Sequence, residues 1–287
     1  MHFTELPVLG VGLAADVAGA LPNFRNFLTG EDTVDYLAFG AHYVQKARIH
    51  HFIDDLIRSG LPIVFHPINF NVAVEDREEG EVVARTREIA EYCNAVWTGQ
   101  DIGVWTYGNQ YLGSFLVPPV LDEESIVSVA RKTIQLNEAM PCPFLLENPP
   151  VGVSIEKMHL LDFMARVCEL ADCGMVLDVG HLIGYQQATG RAPRDMPIDR
   201  FPFERIVEVH VAGLQFSKVG GNVNIIDQHS YPVHELCWDF LREHLHRMTG
   251  LKGITLEQEY CRDELVLEHL RKARAITAGL GVFRHAN

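Results

Sequence analysis

The feature that most constrains the fold of this chain is a repeated alternation of short apolar segments with longer amphipathic ones. Eight segments are short and largely apolar, a pattern typical of buried strands. They are Val8–Leu13, Val34–Phe39, Ile63–His66, Ala95–Thr98, Phe144–Glu147, Met175–Asp178, Ile206–His210 and Ile254–Glu257. The stretches between them, such as residues 123–140 and 157–171, carry apolar residues at helical spacing. This alternation predicts a (β/α)8 TIM barrel that occupies residues 1–287 as a single domain.

A doubly wound open sheet uses the same alternation of strands and helices. That fold holds phosphates on glycine-rich turns of the type G-x-G-x-x-G or G-x-x-x-x-G-K. Neither motif follows any of the predicted strands. The sequence therefore favours the barrel.

Charge and hydropathy narrow the range of partners. The chain has 24 Lys and Arg against 38 Asp and Glu, a formal net charge of −14, and its basic residues are scattered. A phosphate backbone would be repelled, so we expect no nucleic-acid partner. No apolar run reaches the roughly 18 residues of a membrane span, and the N-terminal residues lack the features of a signal peptide. We therefore predict a cytoplasmic protein that does not enter a membrane, with its six cysteines reduced.

Ionisable side chains occur at the ends of five predicted strands, and another group follows the seventh. In a (β/α)8 barrel these carboxyl ends line the mouth of the active site. The residues are His66, Glu147, Asp178, His181, Glu208, His210, Asp227, His229, Glu257 and Glu259. Burying one such group is ordinary, but burying this many is costly unless cations compensate their charge. Carboxylates and imidazoles together suit first-row divalent metals, so the pattern predicts a site for more than one metal ion.

The motifs around these residues resemble those of the multinuclear non-heme iron-dependent oxidative enzymes. That family modifies ribosomally made peptides and includes the methanobactin-forming oxygenase and the thiaglutamate-pathway enzyme. The matching motifs are Gly10-V-G-L, F-His66-P-I-N-F-N, L-L-Glu147-Asn148-P-P, L-Asp178-V-G-His181, Glu208-V-His210-V-A-Gly213, Asp227-Q-His229-S-Y-Pro232-V and L-Glu257. The order of ligand types also resembles endonuclease IV and its relatives. Both resemblances imply a xylose-isomerase-like barrel.

The family resemblance implies a cofactor of two or three iron ions in mixed ferrous and ferric states. The implied iron ligands are His66, Asp101, Glu147, Asp178, His181, His210, Asp227, His229 and Glu257. The implied catalytic residues among them are His66, Glu147, Asp178 and His210. By the same resemblance, Glu147 bridges two ions and lies beside His66. One ion is shared by Asp178, His210 and Glu257, and another by His181, Asp227 and His229.

Two positions depart from the family pattern. Asp101, in G-Q-Asp101-I, occupies the place of a family histidine; it either binds iron or leaves the ion near His66 weakly held or missing. His42, in A-His42-Y, stands where relatives often have E-N-Y. We expect it to supply the missing imidazole, to contact substrate or to be structural. Asn148, beside Glu147, is predicted to orient a ligand or to bind the substrate backbone.

The resemblance implies an iron-dependent enzyme that uses dioxygen to modify a residue, most often cysteine, of a precursor peptide. It also implies a small partner protein that binds the leader peptide. A loop with Trp105, Tyr107 and Tyr111 covers the cleft, holds a peptide or is plain surface. Three alternative functions stay open: an endonuclease IV-like phosphodiesterase, a sugar isomerase or epimerase, and a non-enzymatic binding module. The acidic charge disfavours the first, the motifs and ligand count the second, and the many ligands around one cleft the third.

Overall fold

A computed structural model of the protein describes residues 1–16, 24–30, 32–41, 46–74, 79–107, 110–112, 116–152, 154–192, 194, 196–219, 222–279, 281 and 283. Within them, eight parallel strands form a closed barrel whose neighbours follow chain order. The barrel strands are β1 (Gly10–Asp16), β2 (Tyr36–Ala41), β3 (Ile63–Pro67), β4 (Thr98–Asp101), β7 (Phe144–Glu147), β8 (Met175–Asp178), β9 (Ile206–Ala212) and β12 (Gly253–Glu257).

Two antiparallel hairpins and a set of α-helices complete the described fold. The hairpin strands are β5 (Thr106–Tyr107) with β6 (Gln110–Tyr111), and β10 (Leu214–Val219) with β11 (Asn222–Asp227). The α-helices are α1 (Lys46–Arg58), α2 (Glu79–Tyr92), α3 (Glu123–Ala139), α4 (Leu160–Ala171), α5 (Val179–Ala188), α6 (Glu235–His244) and α7 (Asp263–Gly279). The predicted (β/α)8 barrel is confirmed.

The fourth barrel strand differs most from its prediction, since it begins where the predicted segment ends. Its residues Gly99 and Gln100 interrupt the apolar pattern, yet Gln100 is only 1% exposed. Its side-chain oxygen accepts from the backbone N–H of Asn69 and Phe70, at 3.2 and 3.0 Å. A polar residue that satisfies buried backbone groups in this way resembles a loop residue in the sequence. The correct bounds place Asp101 at the carboxyl end of β4.

The register of the barrel brings site residues side by side. Asp101 of β4 pairs with Glu147 of β7, and Asp178 of β8 pairs with His210 of β9. Residues paired across neighbouring strands have their side chains on the same face of the sheet. The carboxyl ends of these strands therefore form one contiguous group of polar side chains.

Beneath that group the barrel is filled by large side chains. Tyr36 and Trp97 are fully buried there, packed with Val64, Leu145 and Val176. A second, larger apolar layer lies between the barrel and its helices. Among the described residues, no helix combines the length and apolar character needed to cross a membrane.

Candidate metal centre

A cavity of about 520 Å³ opens at the carboxyl ends of the barrel strands. Four imidazoles and five carboxylates line it: His66, His181, His210, His229, Asp101, Glu147, Asp227, Glu257 and Glu259. Among the described lining residues there is no Lys or Arg. Most of the other lining residues are apolar or glycine.

Glu147 lies between two imidazoles that project from barrel strands, which we call the strand imidazoles, His66 and His210. Its Oε1 lies 2.9 Å from Nδ1 of His210, and its Oε2 lies 3.7 Å from Nδ1 of His66. Nδ1 of His210 is also 3.4 Å from Glu257 Oε1. Each oxygen of Glu147 thus faces a different ring, a geometry that suits a carboxylate shared by two cations.

The other two imidazoles, His181 and His229, lie nearer the rim, and we call them the rim imidazoles. Both turn Nε2 toward Asp227: its Oδ2 lies 3.5 Å from His181 and 3.0 Å from His229. His229 Nε2 is also 3.6 Å from Glu257 Oε2. Glu257 therefore connects one rim imidazole, His229, to one strand imidazole, His210.

The residues that follow β7 and β8 hold the ligand side chains in place. Asp178 caps helix α5 by accepting from the backbone N–H of His181 at 2.6 Å. The amide of Asn148 donates to the backbone oxygen of Asp178 at 2.8 Å and accepts from its N–H at 2.9 Å. Nδ1 of His181 contacts the backbone oxygen of Asn148 at 2.8 Å. Asn148 is fully buried, so these contacts favour an orienting role over contact with substrate.

Asp101 lies beside these groups, with its Oδ1 3.5 Å from Nδ1 of His181. Ligand atoms of Asp101, Glu147 and His181 lie within 4.8 Å of one another. Because the Nδ1 proton of His181 is already accepted by Asn148, that ring presents its other nitrogen to a cation. The carboxylate of Asp101 is therefore placed to bind a cation together with Glu147.

Several buried polar atoms in this cluster have no hydrogen-bond partner. They are Nε2 of His66, Oδ1 of Asp101, Oδ2 of Asp178, both ring nitrogens of His210, Oδ1 of Asp227 and Oε2 of Glu259. Buried polar atoms are nearly always paired in native proteins, so such a concentration requires an explanation. Ligand atoms of Glu147, Asp178 and His210, and likewise those of Asp227, His229 and Glu257, are close enough to share a cation. The chemistry of the donors fits metal ions.

Burial and charge shift the ionisation of the cluster in opposite directions. Burial lowers the pKa of His181, His210 and His229, but the surrounding carboxylates outweigh it and hold each pKa well above its ordinary value. Burial raises the pKa of Asp101 well above its ordinary range, and the charge of Glu147 raises it further. A bound cation would displace the retained protons, so metal binding is expected to release them.

Two carboxylates in contact with the imidazoles were given no role from sequence. Glu208, fully buried in β9, lies 3.4 Å from Nε2 of each strand imidazole. Glu259 Oε2 lies 2.8 Å from Nδ1 of His229. The available signal was spacing: Glu208 precedes His210 by two residues, and Glu259 follows Glu257 by two, so each pair shares a face of an extended chain. Burial raises the pKa of Glu208, but its imidazole neighbours outweigh this and hold it well below the ordinary value.

The segment after β4 forms part of the cavity wall. Trp105 is 8% exposed and stacks on Tyr111, with ring planes 7° apart, while Tyr107 points away from the protein. The side chain of Asn71 fixes this segment, because its Oδ1 accepts from the backbone N–H of Trp105 and of Thr106, at 2.8 and 3.0 Å. Trp105 and Tyr111 both line the cavity, so the segment belongs to the cleft.

The structure brings together the nine residues that the sequence analysis proposed as metal ligands. Their contacts link them into one cluster around the cavity. His42 lies outside the described residues, so its position in the site stays a prediction.

The closed barrel and its polar mouth define a xylose-isomerase-like TIM barrel, as the resemblance implied. Endonuclease IV from Thermus thermophilus is 14% identical with a TM-score of 0.55, over 94% of this chain and 99% of that one. A D-allulose 3-epimerase from Methylomonas sp. is 11% identical with a TM-score of 0.58, over 98% and 100%. At these identities the likeness shows the fold alone.

Sequence comparison defines the particular family. Residues 9–278 match the model of the RiPP precursor modification enzyme MbnB/TglH/ChrH, and the chain belongs to this family. A UPF0276 protein of Anaeromyxobacter sp. strain Fw109-5 is 24% identical over 280 residues, 96% of this chain and 95% of that protein. A UPF0276 protein of Acaryochloris marina strain MBIC 11017 is 24% identical over 249 residues, 85% of each. The family resemblance seen in the sequence motifs is confirmed.

Proposed function

We propose that this protein is an iron-dependent oxidative enzyme that modifies a residue, foremost cysteine, of a ribosomally made precursor peptide with dioxygen as oxidant. The observation that carries the proposal is the concentration of four imidazoles and five carboxylates around one cavity, in a chain from a peptide-modifying family. Carboxylates buried at this density require compensating cations. The mixed nitrogen and oxygen donors suit iron.

The proposal has three ligand groups, of which two or three would be filled. In the first, by the family resemblance, His66 and Asp101 would join Glu147, whose Oε2 lies 3.7 Å from His66 and whose ligand atom lies within 4.8 Å of one of Asp101. In the second, the other oxygen of Glu147 joins the remaining donors, which are Asp178, His210 and Glu257. In the third, the two rim imidazoles share Asp227. The ion in the first group is the one whose retention depends on Asp101.

Each part of the cavity has a role in this proposal. Bound iron would supply a coordination position for a substrate thiolate and redox chemistry with dioxygen. The carboxylates offset the charge of the ions and fix their positions. The apolar wall, with Trp105 and Tyr111, excludes water and gives the peptide an aromatic surface to contact. The protein thus provides geometry and a dry site, while the metal carries the difficult chemistry.

The likeness to endonuclease IV and to sugar epimerases favours neither activity here. A phosphodiesterase would bind a polyanion, yet the described lining residues offer it carboxylates without Lys or Arg. A sugar isomerase or epimerase uses one or two ions, fewer than this donor set can hold. The family match supports a peptide substrate over both.

We also propose a small partner protein that binds the leader of the precursor. Ordering a flexible peptide in the cleft costs free energy, and a partner that holds the leader offsets this by raising the local concentration of the reacting residue. The partner should co-purify with the enzyme and lower the peptide concentration needed for turnover. Full activity of the isolated chain at low peptide concentration would contradict this part of the proposal.

The activity is tested with iron-loaded protein, a candidate precursor peptide and mass spectrometry. We expect a change in peptide mass that requires both iron and dioxygen and that maps to a cysteine. Asp227→Asn should abolish it. Glu156→Gln, which alters a carboxylate hydrogen-bonded to Tyr185 and Arg191, serves as the matched control. Modification supported by zinc without dioxygen would refute the oxidative assignment.

A further inference from the structure

One fully buried carboxylate, Glu208, is not among the proposed ligands and yet contacts two of them. It projects from β9 into the barrel below the cavity, with no exposed surface. Its Oε1 lies 3.4 Å from Nε2 of His210, and its Oε2 lies 3.4 Å from Nε2 of His66. One carboxylate oxygen therefore faces each strand imidazole from the side away from the other ligands.

Glu208 is itself held by donors from the barrel interior. The indole N–H of Trp97 donates to its Oε2 at 2.7 Å. The hydroxyl of Thr255 donates to its Oε1, and the hydroxyl of Tyr36, 3.3 Å from Oε1, donates to Thr255 Oγ1 at 2.6 Å. A buried carboxylate with donors on both oxygens has a fixed orientation, so Oε1 and Oε2 stay beside the two Nε2 atoms, which have no hydrogen-bond partner in this structure.

We propose that Glu208 is the positioning residue of the metal centre, holding the Nε2 protons of His66 and His210 so that both rings bind metal through Nδ1. The inference rests on the proposed metal centre and is independent of the oxidative chemistry. The contacts on the other side of the rings agree with it. Nδ1 of His210 faces Glu147 and Glu257, and Nδ1 of His66 faces Glu147.

The rim imidazoles have the opposite arrangement. Nδ1 of His181 contacts the backbone oxygen of Asn148, and Nδ1 of His229 contacts Glu259, each at 2.8 Å. Their Nε2 atoms face Asp227. The four rings therefore divide into two strand imidazoles that bind through Nδ1 and two rim imidazoles that bind through Nε2. Acceptors behind metal-bound histidines commonly fix the tautomer in this way.

Replacing Glu208 with glutamine should affect the two strand imidazoles unequally. The indole of Trp97 can only donate, so the amide oxygen must remain at the position of Oε2. The amide nitrogen then occupies the position of Oε1, where the hydroxyls of Thr255 and Tyr36 can rotate to accept. There it presents an N–H to Nε2 of His210, which forces the proton of that ring onto Nδ1 and removes its metal-binding lone pair. His66 keeps its acceptor.

The test uses zinc alone as the diamagnetic probe, bound to metal-free protein labelled with 15N-histidine. Two-bond 1H–15N correlations separate Nε2, which couples to both carbon-bound ring protons, from Nδ1, and substituting one histidine at a time assigns the signals. In the wild type we expect zinc on Nδ1 of His66 and His210. In Glu208→Gln, His210 should lose its zinc signal and zinc affinity at that position should fall about 10–100-fold. The signals of the rim imidazoles should be unchanged, which also shows that the barrel is folded.

Glu156→Gln is again the control and should leave all four rings as in the wild type. Zinc on Nε2 of His210 or His66 in the wild type would overturn the positioning role while leaving the proposed function intact. Wild-type affinity and an unchanged His210 signal in Glu208→Gln would also overturn it. Absence of both zinc and iron binding in the wild type would refute the metal centre, and with it this inference.

Discussion

Replacing Asp101 with asparagine should have opposite effects on the metal-free and the metal-bound protein. Ligand atoms of Asp101 and Glu147 lie within 4.8 Å of each other, and two unit charges at that separation repel by roughly 3 kcal/mol at an effective dielectric constant of about 20. The attraction to His181 opposes this repulsion, but burial and Glu147 dominate, since they raise the pKa of Asp101 well above its ordinary value. A carboxyl whose pKa is raised by folding lowers stability at neutral pH.

The asparagine variant removes that destabilising charge while keeping the size of the side chain. We expect the metal-free protein to gain less than the roughly 3 kcal/mol of that repulsion, because the attraction to His181 is lost as well; each 1 kcal/mol raises the melting temperature of a chain of this length by about 2 °C. The iron-loaded protein should instead lose roughly one iron per chain, because an amide is a weaker ligand than a carboxylate.

Scanning calorimetry with and without iron, together with metal analysis, measures both effects. Asp101→His provides the comparison, since it restores the ligand type of the family and should restore the iron count with altered redox behaviour. A lower melting temperature of the metal-free Asp101→Asn protein with an unchanged iron count would refute the reasoning. Asp101 would then stabilise the fold and would not bind metal.

Three further outcomes are expected. Asp178→Ala and, separately, Asp227→Ala should lower bound iron and abolish turnover while the fold survives, as measured by metal analysis and circular dichroism; unchanged iron in both would contradict their assignment as ligands. Gly99→Ala should weaken metal binding, because a Cβ there would lie 2.8 Å from Cε1 of His66, and a crystal structure or metal titration checks this. Iron affinity should fall as the pH is lowered, because protons compete for imidazoles and carboxylates; calorimetry in buffers of different ionisation enthalpy should detect protons released on binding, and an affinity independent of pH would count against the cluster as the metal site.

The barrel could be predicted because seven of its eight strands largely coincide with short apolar segments, and the fourth begins at the end of one. Strand boundaries were harder to predict where a buried polar side chain hydrogen-bonds to the main chain. Gln100 lies inside the fourth strand but bonds to the main chain of the loop after β3. No periodicity distinguishes such a residue from a loop residue, so the predicted strand ended at Thr98.

The candidate ligand residues were easier to predict from the sequence than the residues that hold those ligands in place. Strand-end position and motif resemblance were enough to identify residues that the fold then brings together. The positions of Glu208 and Glu259 behind the rings depend on how β9, β12 and the barrel core pack, and a sequence pattern contains no such distances. The inward-facing spacing of Glu208 and His210 was visible, but its consequence required the contacts of Trp97 and Thr255.

The most direct test of the proposed iron chemistry is the metal content of the protein purified without oxygen. Inductively coupled plasma mass spectrometry of the wild type should find two or three iron ions per chain. Mössbauer spectra of protein prepared with 57Fe should show both ferrous and ferric ions. Protein that contains zinc or manganese in place of iron, and that iron cannot reconstitute, would contradict the account.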